Sequence, residues 1–408
     1  MKLHWVFVIV FAFLVVSLGT VMAPVTVHSA EPTGEEVNTI KAEMMTFAEI
    51  LYYYATEALE KPADLKACAY EMLRMKPAEQ KSCRDKYSVW YPKEEVEMVE
   101  ADMEGKFGGI GAELTDKDGK VVVVAPIDGT PAFRAGLKPG DEILEVDGVK
   151  VESVSGAVKR VRGKIGTSVE IKVRRDGKND TIVFTIVRAE IVIQAVEMKV
   201  LHGANGEAGY LRVKTFSEVM PDEFHKEMTK LRDSGITKVV LDFRGNPGGF
   251  LNVALDILYD FARESDTLMV MRERDEETVF DALSVGRAVL KTERKRTHGM
   301  FLGMAVVILV NKGSASASEV FAGTMKDWGY PVIGTNTFGK GIGQTHLPLS
   351  DGSVLSLTTF EFLVGNSRTK IHGIGVIPTH SVVGPRPATS EILREDKQLE
   401  KALELLFK

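Results

Sequence analysis

Residues 304–333 read MAVVILVNKGSASASEVFAGTMKDWGYPVI, and their pattern indicates the fold class most clearly. The apolar run at 304–310 predicts a buried strand, a glycine- and serine-rich turn follows, and residues 317–328 predict a helix. The apolar pair at 332–333 predicts the next strand. Strand, helix and strand in this order indicate a βαβ unit of a parallel sheet.

A second unit of the same kind precedes it. Residues 238–243 predict a buried strand, and the turn RGNPGG follows at 244–249. Apolar residues at helical spacing then predict a helix with Leu251, Ala254, Leu255, Leu258 and Phe261 on its buried side. Further amphipathic helices are expected over 218–232, ending at Gly235, and over 390–407, with Ile392, Leu399, Ala402, Leu405 and Leu406. The sequence therefore predicts a mixed α/β core.

The two turns between strand and helix carry candidate catalytic groups. Such a turn places backbone N–H groups at a helix N-terminus, where partial positive charge stabilises a developing oxyanion. Ser316 stands at the start of one helix, so its hydroxyl is a candidate nucleophile. The Ala317 N–H is one candidate oxyanion donor, and the N–H of Gly248 or Gly249 in the other turn is the second. The structural alternative is a capping box of Ser316 and Glu319, which begins many non-catalytic helices.

A lysine in the following turn supplies the base that a serine nucleophile needs. Lys340 lies within TFGKG, and Gln344 projects to the same side of an extended segment, where its amide can orient the amine. Burial among Phe338, Ile342 and a helix face would lower the pKa of Lys340 and let the neutral amine remove the proton of Ser316. Alternatively, Lys340 pairs with a surface carboxylate. The three polar side chains together predict a Ser-Lys peptidase.

Upstream of the core, residues 107–188 have a β-rich pattern. Short apolar runs alternate with Asp-Gly and Pro-Gly turns, and one amphipathic helix carries Val158. The FGGIG loop, with the later segments TPA, AGL and KPGDEIL, resembles a PDZ domain. Successive N–H groups around Gly109, Ile110 and Gly111 would hold a chain-terminal carboxylate, while an added strand places an apolar side chain beside Val158. The alternative is a β-barrel spacer whose glycines only make turns.

The beginning of the chain predicts export. Lys2 precedes a nearly unbroken apolar run over 5–18, which is typical of a signal peptide or an N-terminal membrane anchor. Residues 31–104 are charged, with apolar residues at helical spacing, and predict a helical region. Cys68 and Cys83, the only two cysteines, form a disulfide in an oxidising compartment or remain two buried thiols. The net charge of −6 gives no general attraction to nucleic acid.

Two signatures point to a family. The segments NKGSASASE at 311–319, AG at 322–323 and TFGKG at 337–341, with Asp327, closely resemble the carboxy-terminal processing peptidases, also called tail-specific proteases. The segment LDFRGNPGG at 241–249 is similar to the family's other signature. The resemblance extends from the PDZ-like module to Pro378. After that proline the chain has Thr379, where the family usually has an aspartate.

The resemblance implies a role for each residue of the predicted site. Ser316 is the nucleophile, Lys340 the general base and Gln344 its positioning partner, whereas Ser314 and Ser318 are structural neighbours. It implies five regions: a signal peptide or anchor (1–30), a helical region (31–104), a PDZ domain (105–189), a crotonase-like peptidase core of βα units (190–385) and a C-terminal helix (386–408).

The resemblance also implies an exported serine endopeptidase, in the periplasm or on the outer face of the cytoplasmic membrane. Such an enzyme cleaves proteins near their C-termini, while the PDZ domain binds apolar substrate tails and gates activity. No metal or organic cofactor is expected, since no cluster of His, Cys and acidic residues has ligand spacing. An adaptor protein is a candidate partner, and the amphipathic C-terminal helix suggests a homo-oligomer formed through the terminal helices.

Three other classes of function stay open from the sequence. GTNTFGK at 334–340 has the spacing of a phosphate-binding loop, although Gly341 replaces the metal-binding Ser or Thr and a strand is expected where a helix is needed. A Ser-His peptidase would use His346 or His372 as its base. In a non-catalytic scaffold, or in a protease inactive without its adaptor, the PDZ-like module would bind tails while the larger domain only assembles.

Overall fold

The computed structural model describes most of the chain. The described residues are 34–60, 62, 64–74, 87–93, 95–96, 106–117, 119–127, 129–175, 177, 180–192, 194–203, 206–289, 298–384 and 396–408. They fall into two compact units, within residues 1–48 and within residues 49–408. The predicted export segment at 1–30 lies outside the described residues. No helix among the described residues is both long enough and apolar enough to cross a membrane.

The N-terminal region is helical in part. Helix α1 spans Gly34–Thr56 and helix α2 spans Leu65–Arg74. A helical reading of the whole of 31–104 is wrong, because β1 (Val89–Tyr91) is a strand that pairs antiparallel with residues 354–356. Its valine and two aromatic residues favour the extended conformation. Cys68 is buried and disulfide-bonded, so the bonded alternative holds for it, whereas Cys83 lies outside the described residues.

The predicted β-rich module forms its own sheet. Its strands are β2 (Lys106–Gly109), β3 (Ala112–Lys117), β4 (Lys120–Pro126), β5 (Glu142–Val146), β6 (Val149–Lys150), β7 (Ser168–Arg174), β8 (Ile182–Val187) and β9 (Ala189–Val192). The sheet order is β3-β4-β5-β7-β8, with β6 on β5, while β2 pairs with β9. Helices α3 (Pro131–Ala135) and α4 (Val154–Val161) complete it. Because β2 and β9 pair, the first and last strands of the module lie together.

The core contains the remaining elements. Its strands are β10 (Val196–Gly203), β11 (Gly206–Val213), β12 (Lys238–Asp242), β13 (Thr267–Arg272), β14 (Glu277–Asp281), β15 (Ala305–Val310), β16 (Val332–Gly334), β17 (Ile342–Pro348), β18 (Val354–Val364), β19 (Thr369–Lys370) and β20 (His380–Ser381). Its helices are α5 (Met220–Asp233), α6 (Leu251–Tyr259), α7 (Ala282–Val289), α8 (Ala317–Asp327) and α9 (Lys397–Leu406). The two predicted βαβ units are therefore present.

One sheet carries both predicted turns. Its order is β10-β11-β12-β15-β16-β20, and every pair after the β10–β11 hairpin is parallel. The carboxyl ends of β12 and β15 are neighbours, since Asp242 stands opposite Leu309. Helices α5, α6 and α8 contribute to the large core cluster of buried residues, and α9 contributes to a second cluster with β11, β12 and β15. Covering of this kind suits a mostly parallel sheet, whose strands are apolar throughout.

A second, antiparallel sheet carries the lysine turn. Its order is β1-β18-β13-β14, with β17 and β19 also on β18. Strand β17 begins two residues after Lys340, and it pairs Gln344 with Thr358 of β18. The two sheets thus supply the two halves of the predicted site, because Ser316 follows the parallel sheet and Lys340 precedes a strand of the antiparallel one.

The C-terminal helix packs within its own chain. Of the residues in its predicted apolar face, Leu399, Ala402 and Leu406 are buried against Tyr210 and Val307 of the parallel sheet. Ile392 lies outside the described residues. The apolar face that suggested self-association is therefore already covered, and α9 itself gives no support to a homo-oligomer.

Candidate active site

The turn between β15 and α8, with the first residues of α8, holds three serines in different surroundings. Ser314 Oγ donates to Phe243 O at 2.9 Å and Ser318 Oγ donates to Asn246 O at 3.0 Å, both buried. Both hydroxyls therefore bind the backbone of the facing turn, as expected of structural neighbours. Ser316 instead lines a cavity and has φ of 55°. A positive φ is a strained conformation for a residue other than glycine, and such strain is concentrated at functional sites.

The carboxylate of Glu319 connects the serine turn to the lysine turn. Its Oε2 accepts hydrogen bonds from the N–H of Ser316 at 2.9 Å and of Lys340 at 2.8 Å. Its Oε1 accepts from the Gly339 N–H at 2.6 Å and from Thr337 Oγ1 at 2.5 Å. The capping box is present, but it is not an alternative to a catalytic arrangement. The same buried carboxylate fixes the backbone of both predicted catalytic residues, a role that the sequence pattern did not indicate.

The lysine amine is bound by the predicted glutamine. Lys340 Nζ donates to Gln344 Oε1 at 3.0 Å, and Gln344 Nε2 donates to Thr358 Oγ1 at 3.1 Å. Because the amide nitrogen is held by Thr358, the amide oxygen is directed at the amine. The positioning role predicted for Gln344 is consistent with this geometry.

The surroundings of the lysine differ in part from the prediction. Ile342 is buried, as expected, but Phe338 is 51% exposed. Of the two residues expected around Lys340, only Ile342 therefore belongs to the core. The Phe338 N–H donates to Ser314 O at 3.0 Å, so the backbone of this residue, rather than its ring, contributes to the site.

The glycine turn touches the nucleophile directly. Gly248 has φ of 104°, and a Cβ at this position would lie 2.8 Å from Ser316 Cβ and 2.7 Å from Ala315 O. Both the positive φ and the close approach require glycine. The two βα turns are thus in contact at Ser316, as the predicted oxyanion site needs.

The three candidate oxyanion donors are not equivalent. The Gly248 N–H donates to Asn246 Oδ1 at 2.9 Å, so this conformation does not offer it to a substrate. Gly249 lines the same cavity as Ser316. Within the described part of the chain, neither the Gly249 N–H nor the Ala317 N–H donates a hydrogen bond. Of the three candidate donors, Ala317 and Gly249 therefore have the N–H groups without a hydrogen-bond partner in the described part of the chain.

A cavity of about 650 Å³ brings the predicted residues together. Ser316, Lys340 and Gln344 all line it. Apolar side chains form part of its wall, and polar ones also face it: Phe250, Leu251 and Phe360, then Glu218, Asn252 and His346. A peptide segment fits such a cleft, because the apolar wall can bind side chains while the polar groups act on the backbone.

A buried ionic network holds the glycine turn. Arg244 Nη2 lies 2.6 Å from Asp242 Oδ2 and 2.7 Å from Asp396 Oδ2, and Tyr210 OH donates to Asp242 at 2.6 Å. Burial, with the Asp242 charge, raises the pKa of Tyr210, which stays a neutral donor. Burial alone would lower the pKa of Arg244, but hydrogen bonds to Asp242 and Asp396 raise it overall. The C-terminal helix, which Asp396 caps, is thereby tied to the turn that begins at Arg244.

The residues predicted to bind peptide tails lie around one strand edge. Among the described residues, β3 pairs only with β4, and its other edge has no partner strand. Gly109, Ile110 and Gly111 precede β3, and Gly111 has φ of 74° with Thr130 packed against it. Val158 lies on α4, which contacts β3. An open edge beside a helix with a partly exposed valine is the arrangement that strand addition uses.

Of the competing sequence patterns, the phosphate-binding loop and His372 do not form their expected sites, whereas His346 does line the cavity of Ser316. Lys340 is followed by the strand β17 rather than by a helix, so 334–340 lacks the helix N-terminus of a phosphate-binding loop. His372 lines a different cavity from Ser316. His346 is exposed and does line the cavity of Ser316, so it is the histidine that a mutational test has to address.

Comparison with known proteins agrees with the fold and with the reaction class that the sequence motifs indicated. The family model described as Peptidase family S41 matches residues 207–382, and the PDZ domain model matches residues 108–186. The carboxy-terminal processing protease CtpB of Bacillus subtilis (strain 168) is 36% identical over 309 residues, which are 74% of this chain and 60% of CtpB. A probable CtpA-like serine protease of Staphylococcus saprophyticus is 34% identical over 320 residues, which are 78% of this chain and 62% of the relative. The chain thus spans about three fifths of the length of these curated relatives.

A solved structure shows the same fold. The photosystem II D1 C-terminal processing protease superimposes with a TM-score of 0.51 at 24% identity, covering 90% of this chain and 98% of that one. The S41 match includes Ser316, Lys340, Gln344 and the Gly248 and Gly249 pair of the facing turn. In agreement with the resemblance that the sequence motifs indicated, the chain contains a peptidase family S41 domain and, ahead of it, a PDZ domain.

Proposed function

We propose that this protein is a serine endopeptidase that cleaves proteins near their C-termini with Ser316, Lys340 and Gln344. One observation carries the proposal: a single cavity is lined by Ser316 at the start of α8 and by Lys340, whose amine is bound to Gln344 Oε1. The names of two relatives, a carboxy-terminal processing protease and a CtpA-like serine protease, support the reaction class.

In the acylation step, Ser316 Oγ attacks the carbonyl carbon of the scissile peptide bond. The neutral amine of Lys340 takes the hydroxyl proton, while the N–H groups of Ala317 and Gly249 bind the oxyanion. The tetrahedral intermediate then collapses, the C–N bond breaks, and the ammonium of Lys340 gives its proton to the departing amine. The C-terminal fragment leaves, and Ser316 carries an acyl ester.

Deacylation repeats these steps with water. Lys340 removes a proton from water, the hydroxide adds to the ester carbonyl, and the same two N–H groups bind the second oxyanion. When the C–O bond breaks, the Lys340 ammonium returns its proton to Ser316 Oγ. Gln344 keeps the amine directed at the reacting atoms in both steps, because its own amide is held by Thr358.

The PDZ domain binds the substrate tail in this proposal. A chain-terminal carboxylate meets the N–H groups around Gly109, Ile110 and Gly111, and the tail adds a strand to the free edge of β3. An apolar side chain of the tail then packs beside Val158. Tail binding gates the peptidase site, so that substrates with apolar C-termini are cleaved in preference to others.

Location and partners are part of the same proposal. The apolar segment over 5–18 supports a location outside the cytoplasm, in the periplasm or on the outer face of the cytoplasmic membrane. The disulfide at Cys68 supports an oxidising compartment. An adaptor protein and a homo-oligomer stay predictions, and the covered face of α9 argues against a dimer through that helix.

The test uses a purified model protein with an apolar C-terminal tail and the same protein ending in two aspartates. Mass spectrometry of the products should show cleavage near the apolar terminus only. Ser316→Ala and Lys340→Ala should each lower kcat/KM by about 10³-fold or more, because each removes a group that bonds or transfers a proton in the transition state.

The competing functions give different outcomes. A Ser-His enzyme would keep most of its activity in Lys340→Ala and lose it in His346→Ala. A non-catalytic scaffold would bind the substrate protein by its apolar tail without shortening it. Adding a cell extract that contains an adaptor protein would not change that result. Circular dichroism of each variant establishes that a loss of activity is not a loss of fold.

A further inference from the structure

We infer that Tyr87 is a positioning residue for the catalytic amine, contributed by the N-terminal segment and not by the peptidase domain. The inference rests on the proposed function. Lys340 Nζ lies 5.4 Å from the centroid of the Tyr87 ring, which is within the range of a cation–π contact. Tyr87 lies 21 residues or more before either matched domain begins, so the two domain models do not include it.

The segment that carries Tyr87 is hydrogen-bonded to β18, the strand that pairs with β17 next to Lys340. Ser88 Oγ accepts a hydrogen bond from the Thr358 N–H at 2.9 Å, and the Leu59 N–H donates to Thr358 O at 3.0 Å. Thr358 Oγ1 in turn accepts from Gln344 Nε2 at 3.1 Å. One residue of β18 therefore binds the N-terminal segment through its backbone and the base-orienting amide through its side chain.

The pairing of β1 with β18 continues this attachment. Val89, the second residue after Tyr87, stands opposite Ser356, and Trp90 Nε1 donates to Ser353 Oγ at 2.9 Å. The segment is thus held along β18 from Val354 to Thr358. Such an attachment places the Tyr87 ring against Lys340 with little freedom, which a surface loop would not do.

Tyr87 also lines a second cavity. It lines a cavity of about 470 Å³ together with Ser88 and Thr358, whereas Lys340 and Gln344 line the catalytic cavity. Tyr87 lies next to Lys340 and Thr358 binds Gln344, so residues of this second cavity contact both the amine and the amide that orients it. Without the ring, the amine would lose a neighbour that restricts its movement.

Two consequences for the lysine follow from this placement. The ring restricts the side chain to the arrangement in which Nζ faces Gln344, and its π face stabilises the ammonium that forms after proton transfer. Other titratable groups near the amine are Glu319, which binds the Lys340 N–H, and Glu218 and His346, which line the same cavity. These groups are unchanged by a substitution at Tyr87, so their effect on the amine cancels in a comparison of variants.

The experiment compares Tyr87→Leu with the wild type in the full chain. Two readouts are measured: kcat and KM on the apolar-tail substrate, and the rate of Ser316 modification by a fluorophosphonate as a function of pH. Tyr87→Leu should lower kcat by about tenfold with KM unchanged, because the amine is less well directed. In the same variant, the acidic limb of the pH profile of Ser316 modification should move to lower pH by about half a unit. The ring no longer stabilises the ammonium form of Lys340, so the pKa of the amine falls.

Two further variants separate the ring from its surroundings. Tyr87→Phe retains the π face, so its kcat should be close to that of the wild type. The acidic limb of its pH profile should lie at the wild-type position. Tyr52→Leu is the matched control, since Tyr52 is exposed on the preceding helix α1, and it should leave both readouts unchanged. Should Tyr87→Leu fail to fold, Tyr87→Met replaces it.

The results that overturn the inference are distinct from those that overturn the proposed function. A Tyr87→Leu enzyme with wild-type kcat and an unshifted limb contradicts it, and so does a Tyr87→Phe enzyme as impaired as Tyr87→Leu. If the wild type itself shows no serine-dependent cleavage and no fluorophosphonate labelling at Ser316, the proposed function fails and not only the role of Tyr87.

Discussion

The two turns that meet at Ser316 are both held by buried carboxylates, but the partners of those carboxylates differ. The glycine turn is held by ion pairs, since Arg244 binds Asp242 and Asp396. The serine turn is held by Glu319, whose partners are three backbone N–H groups and one hydroxyl, with no ion pair among the described residues. A charge held by backbone N–H groups at a helix start is stabilised without a cation beside the base.

This difference has a consequence for function. The ion pairs of Arg244 connect the glycine turn to α9, which lies away from the cavity, whereas Glu319 binds the backbones of Ser316 and Lys340 themselves. We therefore expect substitutions at the contact of the turns and at Glu319 to affect catalysis first. Substitutions in the Arg244 network should affect stability first.

The largest effect is expected where the turns touch. In Gly248→Ala, a Cβ would lie 2.7 Å from Ala315 O and 2.8 Å from Ser316 Cβ, at a φ of 104°. The turns have to separate, which displaces the nucleophile from the Gly249 N–H. We expect kcat/KM to fall by about 10²- to 10³-fold, measured on the apolar-tail substrate.

The control for this prediction is another glycine of positive φ. Gly235 has φ of 80° at the end of α5, and a Cβ there meets no atom within 4 Å. Gly235→Ala should cost about 1 kcal/mol of stability through backbone strain alone and leave kcat/KM unchanged. Near-normal activity in Gly248→Ala would show that contact between the turns is not needed for the reaction.

The next effect is expected at Glu319. Glu319→Gln has almost the same shape, but one of the two carboxylate oxygens becomes an NH₂ group that faces N–H donors instead of accepting from them. We expect a loss in kcat of about 10²-fold and a loss of about 2 kcal/mol in the free energy of unfolding. Urea denaturation and steady-state kinetics measure the two effects separately. Were stability to fall with kcat intact, Glu319 would be only a helix cap.

The fold of each turn could be predicted from local sequence, whereas the groups that hold it could not. An apolar run, a glycine- or serine-rich turn and a helical spacing lie within about 25 residues of each other, and they specified both βα units and the position of Ser316 at a helix start. The strand β1 was missed, because its three residues pair with a strand more than 260 positions away.

In the candidate site too, the residue types could be predicted from the sequence, whereas the contacts that hold them could not. Ser316, Lys340 and Gln344 were indicated by residue type and spacing, since the chemistry fixes which side chains are needed. Glu319 was interpreted only as a cap, because its partners Thr337 and Gly339 reach it through the packing of a later loop. The occupation of the Gly248 N–H by Asn246 and the exposure of Phe338 likewise depend on side-chain placement, which no periodicity encodes.

The smallest effect on activity is expected from substitutions in the Arg244 network, which holds the glycine turn and does not bind the catalytic residues. In Asp396→Asn the side chain still caps α9, but Arg244 loses one of its two charged partners while staying buried. Removing one partner of a buried ion pair should lower the free energy of unfolding by about 3 kcal/mol. Because Asp242 still orients Arg244, kcat/KM should be unchanged at temperatures where the variant is folded.

Glu404→Gln on the same helix is the matched control. Its ion pairs with Lys401 and Lys408 are on the surface, where such pairs contribute little, so the urea midpoint should not move. If Asp396→Asn lost activity in proportion to its stability, the ionic network would be part of the catalytic geometry, and the division between a stabilised turn and a catalytic turn would not hold. A lower urea midpoint with full activity would establish that Asp396 anchors the C-terminal helix to a turn whose shape Asp242 and Asn246 already determine.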